Sequence, residues 1–187
     1  MSGFLAPRTL FWLAQLHAFL KRDRHAIETL RRALALDPGM QEAWRSIGFL
    51  YAQVGEPTEA IAALREAVRL APEDAETRFN LGFLLHQRRD LDGAIDQLKA
   101  AIRLRPSIDR AWYGLGVIYL DRGDLPAAIE HLQEAARLQY FNPHAGHHLA
   151  LAYHRAGERQ KAIAEQRRVE SYDPKIGAQI AREIGLR

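Results

Sequence analysis

The chain has 187 residues, of which 48% are hydrophobic and 26% are charged, a balance typical of a folded domain or a short repeat array. It has no cysteine, which excludes disulfides, thiolate metal sites and a cysteine nucleophile. The 26 basic and 23 acidic side chains leave a net charge of +3, too small a surplus to indicate a basic stripe for nucleic acid.

The first predicted element follows from an apolar run near the N-terminus. Residues 9–20 read TLFWLAQLHAFL and contain no acidic residue, arginine or lysine. A membrane-spanning helix needs about 20 apolar residues, so this run is too short to cross a bilayer. The basic residues Lys21 and Arg22 follow the run, whereas in a signal peptide such residues precede it. We therefore predict an amphipathic first helix, no membrane partner and a cytoplasmic protein.

A 34-residue period organises the rest of the chain. Small residues recur at this spacing in two series, and prolines recur in a third series with a gap at Tyr140. The series are Ala14, Gly48, Gly82, Gly116 and Ala150; Ala26, Ala60, Ala94, Ala128 and Ala162; and Pro38, Pro72, Pro106 and Pro174. Apolar residues within each period follow helical spacing, which predicts two amphipathic helices per repeat. Because one such helix pair cannot bury its apolar face alone, neighbouring repeats are expected to stack.

This period predicts five helix–turn–helix repeats with a short segment at each end. The predicted limits are 1–6 for an N-terminal extension, then 7–40, 41–74, 75–108, 109–142 and 143–176 for the repeats, and 177–187 for a C-terminal capping helix. The capping helix is expected to cover the last repeat with Ile180 and Ile184. The predicted fold class is all-α.

The side chains at fixed positions of each repeat resemble those of a known family. Repeat four has Trp112, Leu115, Gly116 and Tyr119 at the spacing Trp-x2-Leu-Gly-x2-Tyr, followed by Ala128. This 34-residue pattern resembles the tetratricopeptide repeat (TPR) family. The resemblance implies a right-handed superhelical solenoid whose first helices line a concave groove. It also implies a non-catalytic adaptor for a protein or peptide partner, with no cofactor. The preference for arginine over lysine, 22 to 4, favours a bacterial source.

The resemblance also implies which side chains line the groove. We expect binding contacts from Arg45, Phe49, Phe79, Asn80, Phe83, Arg110, Tyr113 and His147. Aromatic side chains with polar anchors suit an extended or helical peptide. The alternative is that some of these phenylalanines pack between repeats.

A further feature of the family concerns the end of a bound peptide. Some members hold a C-terminal carboxylate between basic and asparagine side chains, and Arg45, Asn80 and Arg110 match three of those five positions. Phe49 and Gly114 replace the other two. We therefore expect an internal peptide of acidic or amidic character instead of a free C-terminus.

Two places depart from the repeat pattern. Tyr140 and Phe141 replace the proline turn after repeat four, and we expect them to fill the seam before repeat five. At the N-terminal end, Phe4, Phe11 and Trp12 have no preceding repeat to pack against. An alternative function is therefore a homo-oligomeric structural scaffold that assembles through this end.

Histidines gather in the first helix of repeat five. His144 and His148 are four residues apart and share one helix face, which is the spacing of a metal-binding pair. A closed site needs further ligands, so no metal is predicted, and a metal- or pH-responsive module is the third alternative.

The sequence has no phosphate-binding loop and no nucleophile elbow, which predicts a protein without enzymatic activity. Arginine pairs such as Arg31–Arg32 are interleaved with acids, so no nucleic-acid partner is expected.

Overall fold

The computed structural model describes residues 6–186, which form eleven α-helices and no strand. In chain order the helices are α1 (Pro7–Phe19), α2 (Asp23–Leu36), α3 (Gln41–Gln53), α4 (Pro57–Leu70), α5 (Ala75–Gln87), α6 (Leu91–Leu104), α7 (Asp109–Arg122), α8 (Leu125–Leu138), α9 (Pro143–Arg155), α10 (Arg159–Glu170) and α11 (Pro174–Glu183). The predicted all-α fold class is confirmed.

The helices form two alternating series, and each series advances with the period of the sequence. First helices begin at Pro7, Gln41, Ala75, Asp109 and Pro143, and second helices begin at Asp23, Pro57, Leu91, Leu125 and Arg159. A first helix packs against the second helix of its own repeat, as α1 does with α2 and α3 with α4. The second helix packs in turn against the next first helix, as α2 does with α3. The helix–turn–helix repeat is thus observed, while the numerical limits of the repeats stay a prediction.

The chain divides into two compact units, Met1–Gln97 and Leu98–Arg187, which are called the N-terminal unit and the C-terminal unit. The boundary falls inside α6, so α1 to α5 belong to the N-terminal unit and α7 to α11 to the C-terminal unit. Each unit has an apolar core of its own.

Small residues allow the helices of the N-terminal unit to approach closely. Ala26 and Ala43 are fully buried in one cluster with Leu30. Where α3 meets α4, a Cβ atom at Gly48 would lie 2.8 Å from Leu64 Cγ. That distance is well inside van der Waals contact, so a larger residue at position 48 would push the two helices apart.

The C-terminal unit is packed by the same means. Where α7 meets α8, a Cβ atom at Gly116 would lie 2.5 Å from Leu132 Cγ. Ala128 and Ala150 are fully buried, and Ile180 of α11 completes the cluster. The periodic series of small residues therefore marks the helix crossings.

A recurring hydrogen bond holds the turn before several first helices. Trp44 and Trp112 each donate the indole N–H to the carbonyl oxygen of a turn proline six residues earlier, at 2.8 Å. Arg78 occupies the same period position in repeat three, and its Nε donates to the carbonyl oxygen of Pro72 at 2.7 Å. Two different side chains thus satisfy the same backbone acceptor, which would otherwise depend on water alone.

The last helix, α11, begins at Pro174 and ends at Glu183. A local signal sets its start, because the carboxylate of Asp173 accepts a hydrogen bond from the backbone N–H of Ile176 at 3.0 Å and Pro174 occupies the first turn. Ile180 is fully buried, as expected of a helix that covers the last repeat.

Candidate functional site

The first helices of repeats one to three line one pocket in the N-terminal unit, with a volume of about 440 Å³. It is called the α1–α3–α5 pocket. Its lining consists of Gln15, Ala18, Lys21, Arg45, Ser46, Phe49, Leu50, Gln53, Glu76 and Asn80. Three of the predicted contact residues, Arg45, Phe49 and Asn80, therefore meet in a single pocket.

The three phenylalanines predicted to contact a ligand differ in exposure. Phe49 is 62% exposed and Phe83 is 49% exposed, whereas Phe79 is only 7% exposed. The rings of Phe79 and Phe83 stack with their centroids 6.4 Å apart. Phe79 therefore packs behind Phe83 within the unit. Its own ring is not available to a ligand, contrary to the expectation from the sequence. It matches instead the alternative of a phenylalanine that packs between repeats.

Amide and hydroxyl groups form the polar part of the pocket. Gln15 Nε2 donates a hydrogen bond to Ser46 Oγ at 3.0 Å. Gln53 and Asn80 add two further amides to the lining. Because an amide side chain carries both donors and an acceptor, it can pair with either group of a peptide backbone.

Arg45 is already paired within the chain. Its Nη1 lies 3.2 Å from Asp74 Oδ2, and Gln41 Nε2 donates to the same oxygen at 3.1 Å. Asp74 also caps α5, because its other oxygen accepts the backbone N–H groups of Glu76 and Thr77 at 3.1 Å. Burial acts to raise the pKa of Asp74, but hydrogen bonds from Thr77 and the charge of Arg45 outweigh it and hold that pKa below its usual value.

In the C-terminal unit, α7 and α9 bring Tyr113 and His148 together. Their rings meet edge to face with centroids 5.5 Å apart, and Tyr113 Oη lies 3.4 Å from His148 Nδ1. Burial raises the pKa of Tyr113 and lowers the pKa of His148. Tyr113 is half-buried, whereas Arg110 lies exposed near the start of α7. Of these two predicted contacts, Arg110 is the more accessible.

The predicted contact residue His147 connects α9 to α11. Its Nε2 lies 2.7 Å from Glu183 Oε2. Gln179 donates to the other oxygen of the same carboxylate at 2.8 Å. The hydrogen bonds from His147 and Gln179 hold the pKa of Glu183 below its usual value. His147 thus has a structural partner that a ligand would have to displace.

The histidine pair of repeat five lacks the surroundings of a metal centre. His148 Nδ1 lies 3.0 Å from the backbone carbonyl oxygen of His144. Over residues 6–186, no three His, Cys, Asp or Glu side chains are grouped so that they could hold a metal ion. The same described residues include no helix with the length and apolarity needed to span a membrane.

Models of the tetratricopeptide repeat match residues 13–75, 47–107, 84–143 and 145–176. The chain belongs to the tetratricopeptide repeat family. Among solved structures similar to this TPR protein, a crystal structure of MamA has a TM-score of 0.85 and 25% identity, covering 90% of this chain and 92% of that one. YrrB, a TPR protein with an unusual peptide-binding site, has a TM-score of 0.83 and 19% identity, with 93% and 91% covered. PilF of Pseudomonas aeruginosa has a TM-score of 0.76 and 20% identity, with 96% and 84% covered. No curated protein matches the sequence.

The turn between repeats four and five of this TPR protein differs from the prediction. Tyr140 and Phe141 are exposed, so they do not fill the seam. The reason is that Arg168 of α10 occupies the space beside Gly146, where a Cβ atom would lie 2.8 Å from Arg168 Nη2. The guanidinium also lies 4.8 Å from the ring centroid of Tyr140.

The N-terminal end of the TPR array also exposes apolar side chains. Trp12 is exposed and Phe11 is half-buried, while Phe4 lies outside the described residues. Leu16 and Phe19 are exposed as well. A sequence signal exists for Phe19, because the other four repeats have a polar residue at its period position. These are Gln53, Gln87, Asp121 and Arg155.

Proposed function

We propose that this TPR protein is a non-catalytic adaptor that holds a peptide segment of a partner protein in the α1–α3–α5 pocket. The observation that carries the proposal is the exposed ring of Phe49 beside the amides of Gln53 and Asn80 in a pocket of about 440 Å³. Exposed aromatic rings with polar neighbours are typical of residues that dominate a binding interface. YrrB, which has the same fold, supports the proposal as a TPR protein with a peptide-binding site.

The polar groups favour an internal, amide-rich peptide over a free C-terminus. Because Arg45 is engaged by Asp74 at 3.2 Å, a peptide carboxylate would have to compete with that ion pair. Gln15, Gln53 and Asn80 can instead donate to and accept from the backbone or amide side chains of the peptide. Phe49 then provides the apolar contact for one side chain of the segment.

The proposal includes a cytoplasmic location and a protein partner. TPR repeats are generally non-catalytic scaffolds, which agrees with a function based on binding alone. The near balance of 26 basic and 23 acidic side chains provides little attraction for nucleic-acid phosphates. A protein segment is therefore the ligand class that best fits the pocket.

Selection from a displayed peptide library on the immobilised chain tests this function. The enriched peptides are then titrated by fluorescence anisotropy against the wild type, Phe49→Ala and Asn80→Ala. Each substitution is expected to weaken binding by about tenfold or more, as loss of a dominant contact does. Arg69→Ala is the matched control, because Arg69 is exposed on α4 and does not line the pocket.

Two outcomes would contradict the proposal in different ways. Equal binding by the wild type and both pocket variants would place the site elsewhere on the chain. Asp74→Asn keeps a capping side chain at α5 but removes the charge that engages Arg45. A wild type that prefers acidic peptides would contradict the amidic character of the ligand, and an Asp74→Asn variant that gains no preference for acidic peptides would contradict the engagement of Arg45 by Asp74.

A second candidate function is a homo-oligomeric structural scaffold, and one observation favours it. Trp12, Leu16 and Phe19 of α1 are all exposed in the isolated chain. Contiguous exposed apolar side chains of this kind mark protein contact sites. None of the three lines the α1–α3–α5 pocket, so a scaffold and an adaptor are compatible functions of the same molecule.

A further inference from the structure

The exposed side chains of α1 form a continuous apolar stripe. Trp12 is 69% exposed, Leu16 52%, Phe19 80% and Leu20, at the end of the helix, 50%. Residues three and four apart are neighbours on a helix surface, so these four side chains share one face. They are called the α1 stripe. The stripe itself contains no charged residue.

Comparison with the other repeats shows that one part of the α1 stripe is a packing position. Leu16 corresponds, at successive periods, to Leu50, Leu84, Ile118 and Ala152. All four of these residues are buried. In the N-terminal unit, α2 packs on α3 and α4 packs on α5, whereas no described helix precedes α1. Leu16 therefore stands at a position that is packed in repeats two to five and exposed in repeat one of the described residues.

The rest of the α1 stripe is apolar in the first repeat alone. Trp12 corresponds to Ser46, Asn80, Gly114 and His148, and Phe19 corresponds to Gln53, Gln87, Asp121 and Arg155. Eight equivalent positions thus contain no large apolar residue. An exposed tryptophan and an exposed phenylalanine at these positions are not explained by packing within the repeat, because the other repeats fold without them.

We propose that a second copy of this chain covers the α1 stripe, with the two α1 helices antiparallel and Leu16 at the two-fold axis. This inference rests on the scaffold function, the second candidate above. The stripe is self-complementary about Leu16, since Trp12 precedes it by four residues and Phe19 and Leu20 follow it by three and four. An antiparallel pair therefore sets Leu16 against Leu16, and Trp12 against Leu20 and the adjacent Phe19 of the other copy, the reciprocal contact that two-fold symmetry requires.

The exposed area agrees with this occupant. From their exposed fractions, the four side chains offer about 500 Å² per copy, so a pair buries about 1,000 Å², the lower limit for a specific interface. An aromatic and aliphatic core without charges is also the composition typical of the centre of such interfaces. The contact is therefore large enough for a reversible dimer.

The α1 stripe and the α1–α3–α5 pocket have no residue in common. The pocket residues of α1 are Gln15 and Ala18, and Gln15 borders Trp12 and Phe19 on the helix surface, so the dimer contact would lie at the edge of the pocket without including its lining. A dimer would then carry two pockets on one scaffold. Two linked sites bind a partner with repeated segments more tightly than either site alone, without any new contact.

The absence of cysteine from the chain allows a test of both the contact and its direction. Leu16→Cys is expected to form a disulfide-linked dimer under mild oxidation, because the two sulfur atoms meet at the axis. Thr9→Cys is the matched control: Thr9 is exposed on the same face of α1, but it lies seven residues before Leu16, so the two copies of Thr9 would be about 21 Å apart along the antiparallel pair. A mixture of Trp12→Cys and Phe19→Cys should cross-link to each other faster than either does to itself.

Sedimentation equilibrium measures the association without cross-linking. The wild type is expected to dimerise reversibly, and Leu16→Glu should raise the dissociation constant by about 100-fold or more, because two unpaired carboxylates would be buried together. Phe49→Glu, at the pocket, should leave the dimer unchanged. Circular dichroism checks that each variant keeps its helices, as expected for substitutions at exposed positions.

The outcomes separate this inference from the adaptor function. A wild type that is monomeric at all concentrations, or a Leu16→Cys variant that cross-links no faster than Thr9→Cys, overturns the dimer. Preferential self-linking of Trp12→Cys would overturn the antiparallel arrangement. Peptide binding is measured independently through Phe49, so a monomer that still selects peptides leaves the pocket proposal intact.

Discussion

Arg168 occupies the space that Gly146 leaves open. Gly146 stands at the period position held by Trp44 and Trp112, whose indole N–H groups donate to the carbonyl oxygen of the preceding turn. In repeat five, Arg168 Nη1 donates instead to the carbonyl oxygen of Tyr140 at 2.5 Å. The turn acceptor is therefore satisfied from the second helix of the repeat and not from the first.

This arrangement predicts that restoring the family's tryptophan at position 146 destabilises the protein. A Cβ atom there would lie 2.5 Å from Val169 Cγ2 and 2.8 Å from Arg168 Nη2, so both side chains would have to move. Overpacking of this kind costs about 1–3 kcal/mol. Thermal unfolding of Gly146→Trp, followed by circular dichroism, measures the loss.

The matched control for position 146 is Arg78→Trp. Arg78 already fills the same period position in repeat three with a large side chain that donates to the turn. Its replacement by tryptophan is expected to change stability by about 1 kcal/mol or less. Equal stability of Gly146→Trp and Arg78→Trp would contradict the conclusion that a side chain at position 146 displaces Arg168.

The contact between Gly48 and Leu64 predicts non-additive substitutions. Gly48→Ala alone should cost about 1–3 kcal/mol, because the new methyl group would lie 2.8 Å from Leu64 Cγ. Leu64→Ala alone should cost about 2–5 kcal/mol for the cavity it leaves. In the double variant the new methyl group enters that cavity, so the total should be smaller than the sum by about 0.5–3 kcal/mol. Urea unfolding of the four proteins measures the difference, and strict additivity would contradict the close approach.

The period of the sequence was sufficient to predict the helices, for a physical reason. Small residues at helix crossings and prolines at turns are needed in every repeat, so they recur in the sequence at the spacing of the structure. Pro174 continues the proline series, but Pro38, Pro72 and Pro106 each stand three residues before a first helix, whereas α11 begins at Pro174 itself because Asp173 caps it. The period alone therefore does not give the start of α11.

Exposure at the candidate site was harder to predict than helix position. Phe49 and Phe83 stand at the same position of successive repeats and are both exposed, so the period already groups them. Phe79 stands at the period position of Arg45, yet its ring packs on Phe83 while the arginine reaches Asp74. Two side chains at equivalent positions thus point to different surroundings because of their own length and charge, which a repeat pattern does not describe.

The difference between Phe79 and Phe49 predicts opposite effects for one kind of substitution. Phe79→Ala should destabilise the protein by about 3–5 kcal/mol, since the ring is buried. Phe49→Ala should change stability by about 0.5 kcal/mol or less, because that ring is 62% exposed. Chemical unfolding gives both stability changes. In peptide titration the order should be reversed, so that Phe49→Ala weakens peptide binding more than Phe79→Ala does. A destabilising Phe49→Ala would mean that Phe49 is part of the core.

Acid is expected to destabilise the packing of α9 against α7 around His148. Burial lowers the pKa of His148 below its ordinary value of 6.5, and it outweighs the hydrogen bond with the backbone carbonyl of His144, which acts to raise that pKa. Between pH 6.5 and the lower pKa of the folded state, His148 is largely protonated in the unfolded chain and largely neutral in the folded chain. Stability is therefore fully present above that pH and is lost as pH falls towards the folded pKa.

Removing the imidazole should remove this pH dependence. The measurement is the melting temperature of the wild type and of His148→Leu at about pH 7.5 and about pH 5.5, either side of the ordinary histidine pKa. The wild type should lose more stability between the two values than His148→Leu does. His144→Leu is the control, because His144 is exposed and its loss should leave most of the effect in place. Glu183, whose pKa is lowered by His147 and Gln179, contributes only below its ordinary value of 4.5, so it does not affect this window. Identical pH dependence in His148→Leu and the wild type would assign the acid sensitivity to another group.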